Sequence, residues 1–174
     1  MKILNDFNTT VKKALEEIDP KYMDYKGLVI CGTHSPHDVE EMIQLIQQAR
    51  ETKTPFLGIC FGHQLAAIEY ARNVLGIQNA TSEEFGQGNF VVYKLPALRV
   101  GLQFSHTEHL DSGFDMQVFE SFWNNYEVMP DILNIWKKEK NFITCQYHPE
   151  YQSRIDNPHP LLVKFIESCR LFGK

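Results

Sequence analysis

The stretch PFLGICFGHQ, Pro55 to Gln64, sets one cysteine between two glycines, behind an apolar run and ahead of a helical pattern. Cys60 therefore falls where a strand ends and a helix begins, the setting of a nucleophile elbow. A nucleophile needs that turn for three reasons. Its side chain must stand above the carboxyl edge of the sheet, where open α/β folds bind ligands. Gly58 and Gly62 keep side chains out of the backbone crossing and away from an incoming substrate. The helix N-terminus favours the thiolate, which is the attacking species, and the N–H of Phe61 would point at a developing oxyanion.

A thiol nucleophile also needs a base and a group that orients the base. The motif QYHPE, Gln146 to Glu150, supplies both. His148 follows a second apolar strand and so emerges at the same sheet edge. Glu150, two residues on across Pro149, reaches the imidazole. Cys60, His148 and Glu150 are thus expected to act as nucleophile, general base and orienting carboxylate. Either half alone has a plain reading, tight packing for the cysteine and a turn for His-Pro. Together, each at a strand end, they are much stronger evidence for a triad.

The elements that must position these residues are legible in the periodicity. Val11, Ala14, Leu15 and Ile18 mark one helical face. Gly27 to Cys31 is an apolar run without alternation, as expected of a strand covered on both sides. Ser35 is expected to cap the next helix, with Pro36 at its first position and Val39, Met42, Ile43 and Ile46 as its buried stripe. The strand at Phe56 to Ile59 and a helix ended by Gly76 follow. In the second half NFVVYKL and LRVGLQF read as two strands, HTEHLDSGFDMQ as a loop and NFITCQY as a strand. The last helix buries Leu162, Phe165, Ile166 and Cys169. The alternation predicts a single α/β domain over residues 1–174, with a mostly parallel sheet and helices on both faces.

PFLGICFGHQ with QYHPE resembles the class I, triad-type glutamine amidotransferases. The nearer resemblance is to the glutaminase domain of CTP synthase, carried further by LAAIEYARNVLGIQNATSEEF, NNYEVMP and YHPEYQSRIDNPHPLLVKFI. It runs from about Gly27 to Phe165 and is weakest between Gly86 and Asp115. The resemblance implies a flavodoxin-like fold and hydrolysis of glutamine to glutamate and ammonia through a thioester on Cys60, without a cofactor. It implies that Gln64 and Glu84 hold the amino-acid end of the substrate, and that the loop at Gly32 adds an oxyanion N–H to that of Phe61. Two positions depart from the pattern. Thr33 stands where a second glycine is usual, and Asn125 stands where an arginine clamps the substrate carboxylate, so a γ-amide other than free glutamine is one expectation. The ATP- and UTP-binding part of CTP synthase is absent from this sequence. A stand-alone chain that passes ammonia to a separate synthase subunit is therefore expected. The alternatives are a γ-glutamyl hydrolase or peptidase on the same scaffold, and a binding or regulatory module that kept the fold.

Composition narrows the classes further. The 174 residues are 43% hydrophobic and 22% charged, ordinary for a soluble domain. The net charge of −5 and the lack of a basic run argue against a nucleic-acid partner. No apolar stretch nears the roughly 18 residues of a membrane span, and MKILNDFNTT has no signal-peptide core. Four widely spaced cysteines fit reduced thiols in the cytoplasm, with Cys31, Cys145 and Cys169 as buried packing. His34 and His37 flank Ser35-Pro36 near the expected active-site edge and are expected either to touch substrate or to be solvated. His106, Glu108 and His109 form only a weak metal pattern, and no metal is expected. His63 reads as structural, and Phe122 and Trp123 as packed aromatics or as the wall of a pocket that lacks the arginine.

Overall fold

The computed structural model describes residues 1–7, 9–106, 117–135 and 141–172. Four strands, β1 (Lys2–Leu4), β2 (Leu28–Ile30), β3 (Phe56–Ile59) and β7 (Phe142–Cys145), form a parallel sheet in the order β1-β2-β3-β7. Their side chains alternate between two cores, which is why the strands read as unbroken apolar runs. Leu28, Ile30, Phe56 and Phe142 face α2 (Val39–Glu51) and α3 (Phe61–Asn73). Val29, Leu57, Ile59, Ile143 and Cys145 face α1 (Thr10–Ile18) and α5 (Pro160–Leu171). The α/β architecture with helices on both faces is as expected. Among the described residues no helix is long and apolar enough to cross a membrane.

Helix α3 runs through the core, with Phe61 to Ala71 all buried. Its one buried charge, Glu69, is fully enclosed and takes a bidentate contact from Arg50, with Nη2 to Oε1 at 2.7 Å. The helix lies directly on strand backbone. A Cβ on Gly58 would sit 2.8 Å from the Gly62 carbonyl oxygen, and one on Gly62 would overlap the Ile30 carbonyl oxygen. Both glycines serve the backbone crossing, and this close approach sets where Cys60 sits.

A second, three-stranded sheet packs beside α3: β4 (Ala80–Ser82) is parallel to β5 (Asn89–His106), and β5 is antiparallel to β6 (Gln117–Val128). The two strands expected within Asn89–His106 are one. Pro96 lacks a donor, and the ladder breaks around it between the pairs Lys94↔Tyr126 and Arg99↔Asn124. Strand β6 was not expected from its polar, aromatic sequence. Helix α4 (Pro130–Ile135) links it to β7.

The start of α2 differs from the expectation at Ser35. The Ser35 N–H donates to Thr33 Oγ1 at 3.1 Å, a local turn that competes with the helix. Asp38 is left-handed at φ 51°, and the helix begins at Val39. The segment from Gly32 to Asp38 is therefore an open loop at the sheet's carboxyl edge.

Candidate active site

Cys60 stands between β3 and α3 at φ 52°, ψ −100°, a conformation open to few residues other than glycine. Its N–H donates to the Cys145 carbonyl at 2.8 Å, which ties the elbow to the end of β7. Its thiol donates to the Trp123 carbonyl at 3.6 Å and accepts from Gln146 Nε2 at 3.7 Å. The sulfur is thus held from β6 on one side and from the residue after β7 on the other.

The other half of the site is a short 3₁₀ turn, Pro149–Tyr151, entered from His148. The His148 N–H donates to the Ser121 carbonyl at 2.7 Å. Its Nδ1 meets Glu150 Oε1 at 2.8 Å, and the Tyr151 ring stacks on the imidazole at 5.0 Å between centroids. His148 and Glu150 are both buried. His148 Nε2 completes no hydrogen bond of normal geometry, yet it lies near enough to Cys60 for the sulfur to influence its proton. Such contacts commonly tighten around a substrate. Burial opposes the imidazolium, but the close approach and charge of Cys60, with the hydrogen bond and charge of Glu150, outweigh it and raise the pKa from 6.5 to about 10. The folded chain therefore holds this proton more tightly than the unfolded one. The resulting stability is fully present below pH 6.5 and is lost as pH rises through about 10. The melting-temperature difference between the protein and His148→Gln is expected to shrink from pH 6 to pH 10. A flat difference would show that the imidazole proton is not so held.

Gly32 lies against both halves. A Cβ there would sit 2.9 Å from His148 Cε1 and 3.4 Å from Cys60 Cβ, so the imidazole occupies the room a side chain would need. Neither Gly32 nor Thr33 is left-handed in this loop. Phe61 opens α3, where the first N–H groups of a helix have no intrahelical partner.

Two cavities meet at Cys60. One, of about 110 Å³, is lined by His148, Glu150, Tyr151 and Gly32, with Asp6 and Thr10 beyond them. The other, of about 260 Å³, is lined by Phe61, Gln64, Glu84, Leu98, Trp123 and Asn125, among others. Among the expected residues, Cys60, Phe61, Gln64 and Glu84 therefore share one cavity, while Gly32, His148 and Glu150 share the other with Cys60. The Gln64 amide nitrogen is engaged within the protein, donating to the Tyr126 carbonyl at 2.9 Å and to Gln146 Oε1 at 3.3 Å. Glu84 is half-buried, and desolvation raises its pKa above the ordinary carboxylate value.

The remaining candidates separate cleanly. His34 lies against Trp123, 5.3 Å between ring centroids, and touches both cavities. His37 is exposed and bonds the Ser35 carbonyl. His63 is buried, with Nδ1 3.0 Å from Thr144 Oγ1, as a structural residue would be. Phe122 is buried under the Arg99 guanidinium, whereas Trp123 is a cavity wall. The His106, Glu108 and His109 side chains lie outside the described residues. Among those described, no group of three or more His, Cys, Asp or Glu could hold a metal ion. Sequence reasoning missed Gln146, which joins Gln64 to the Cys60 sulfur, and Tyr151, which covers the imidazole. Gln146 was signalled by position: it lies two residues before His148 at the end of the same strand.

Comparison with known proteins places the chain in a family. The family model described as glutamine amidotransferase class-I matches residues 4–168. The CTP synthase of Methanoregula boonei is 36% identical over 181 residues, which cover 84% of this chain and 34% of that protein. The CTP synthase of Methanothrix thermoacetophila is 31% identical over 196 residues, covering 90% and 35%. This chain thus spans about a third of the length of the curated relatives it matches. Among solved structures, the Trypanosoma brucei CTPS glutaminase domain with bound acivicin superposes with a TM-score of 0.74 at 18% identity, over 98% of this chain and 94% of that one. At that identity the likeness is one of fold. With the family model covering nearly the whole sequence, the chain belongs to the class-I glutamine amidotransferase family.

Proposed function

We propose that this chain hydrolyses a side-chain carboxamide, glutamine or a related γ-amide, to the acid and ammonia, with Cys60, His148 and Glu150 as its triad. The Cys60 thiolate adds to the amide carbon, and the oxyanion turns to the N–H groups of Phe61 and the Gly32 loop. His148 gives its Nε2 proton to the amide nitrogen. The C–N bond breaks, ammonia leaves, and a thioester remains on Cys60. Water then loses a proton to His148 Nε2 and adds to the thioester, and the C–S bond breaks to return the thiolate and release the acid. Glu150 holds the imidazole through Nδ1. Gln64 and Glu84 face the amino-acid end of the substrate.

The observation that carries this reading is the juxtaposition of a left-handed Cys60 with His148 across Gly32, with Glu150 behind the ring. In this reading residues 1–174 act as one domain, and the ammonia goes to a synthase partner. The similarity to CTP synthases supports that partner. The four cysteines are free thiols, which fits a reducing compartment such as the cytoplasm. The Thr33 turn favours a second reading, a module that kept the fold without the chemistry.

The test is ammonia release from L-glutamine and from γ-glutamyl amides, beside Cys60→Ala, with mass spectrometry after a glutamine-like electrophile. Cys60-dependent turnover and a single adduct on Cys60 are expected. Release that survives Cys60→Ala would overturn the mechanism, and neither turnover nor adduct would favour the module.

A further inference from the structure

The geometry points to a cavity that selects γ-amides with a free α-amine and a blocked α-carboxylate, such as glutamine carried as an α-amide or at the start of a peptide. This rests on the reading that the 260 Å³ cavity beside Cys60 receives the amide. Its polar wall is built for a cation. Glu84 contributes a carboxylate. Desolvation alone raises its pKa, with no opposing pull from a neighbouring cation. An ammonium group would pair with that carboxylate at the cavity wall.

Among the described residues no lysine or arginine lines the cavity, and the side-chain donors there include Thr33, His34 and Asn125. The nearest arginine in sequence, Arg99, pairs with Glu127 through two contacts of 2.8 Å and covers the Phe122 ring. Asn125 is exposed on the wall, opposite the break in the ladder that Pro96 imposes. A free α-carboxylate would lose solvation beside a like charge without a described lysine or arginine to pair with. A blocked carboxyl carries no such penalty. Its added group meets Leu98 and Trp123, which are half-exposed at the cavity wall. The cavity lies below the roughly 300–1,000 Å³ of sites for drug-sized ligands, so it fits an amino-acid-sized amide with a small cap.

The test measures binding to Cys60→Ala, so that chemistry does not enter. Calorimetry at pH 7 compares L-glutaminamide with L-glutamine. L-Glutaminamide is expected to bind at least about tenfold more tightly. Adding Glu84→Gln is expected to erase most of that preference, and adding Asn125→Arg to tighten L-glutamine by about tenfold or more. Equal or tighter binding of L-glutamine, binding of neither probe, or a preference that survives Glu84→Gln would overturn the inference. The unsubstituted chain is then assayed for ammonia release from both compounds. A binding preference without turnover supports the cavity's assignment and counts against the proposed hydrolysis alone. Turnover that favours L-glutamine supports the hydrolysis and overturns the assignment.

Discussion

Cys60→Gly is expected to abolish amide hydrolysis and yet to melt above Cys60→Ala. Both variants lose the sulfur. Removing a nucleophile that works with its base as a unit costs on the order of 10⁴-fold or more in rate. The two differ in backbone strain. At φ 52°, ψ −100°, any side chain at position 60 crowds its own backbone, and such conformations cost about 1–3 kcal/mol. Alanine keeps that strain, whereas glycine removes it. Glycine's looser unfolded chain returns about 0.5–1 kcal/mol of the gain. The glycine variant should therefore be about 1 kcal/mol the more stable, or about 2–4 °C in melting temperature for a chain of this size. The check is a pair of calorimetric scans beside an ammonia-release assay. Alanine melting higher would show that the elbow is relaxed.

Gly62→Ala is expected to be among the most damaging single changes in the molecule. Helix propensity alone predicts the opposite, since alanine is favoured over glycine within a helix by about 1 kcal/mol. The added Cβ would overlap the Ile30 carbonyl oxygen, which belongs to the backbone of the central sheet and cannot rotate away. Relief requires α3 to lift from β2. That breaks contacts of a helix buried along most of its length. We expect a loss of about 3 kcal/mol or more. Activity should fall as well, because Cys60 adjoins the first turn that must move. Gly76→Ala is the control. A Cβ there has nothing within 4 Å, so only the left-handed φ of 71° is disturbed and the loss should stay near 1 kcal/mol. Equal melting of the two variants would refute the argument from contact.

The parts of the fold that were legible in the sequence were those written by burial. Strands enclosed on both faces, such as Phe56 to Ile59, and helices with a single apolar stripe, such as α1, follow from which atoms must leave water. The contact of His148 with Glu150 was legible for a related reason, since two residues across a proline have few ways to lie. Strand β6 was not legible. Its side chains alternate between the body of the protein and solvent without a matching alternation in polarity: Phe122 is buried and Trp123 exposed, yet Asn124 is buried as well. Asn124 belongs inside because Tyr126 and the cavity sit beside it, a fact of tertiary placement. The loop at Ser35 misled for another reason. Its cap signature is real, but Thr33 captured the Ser35 N–H first.

Strand β6 supplies a carbonyl to each half of the site, Trp123 to the Cys60 thiol and Ser121 to the His148 N–H. Residues two apart on a strand turn their carbonyls the same way, so both attachments lie on one edge of one rigid ribbon. Flexing of the β5–β6 ribbon therefore pulls on sulfur and imidazole in the same direction, while the Gly32 loop hangs from a different strand. In the proposed mechanism such motion would vary the reach of the Gly32 loop to the oxyanion more than the proton transfer.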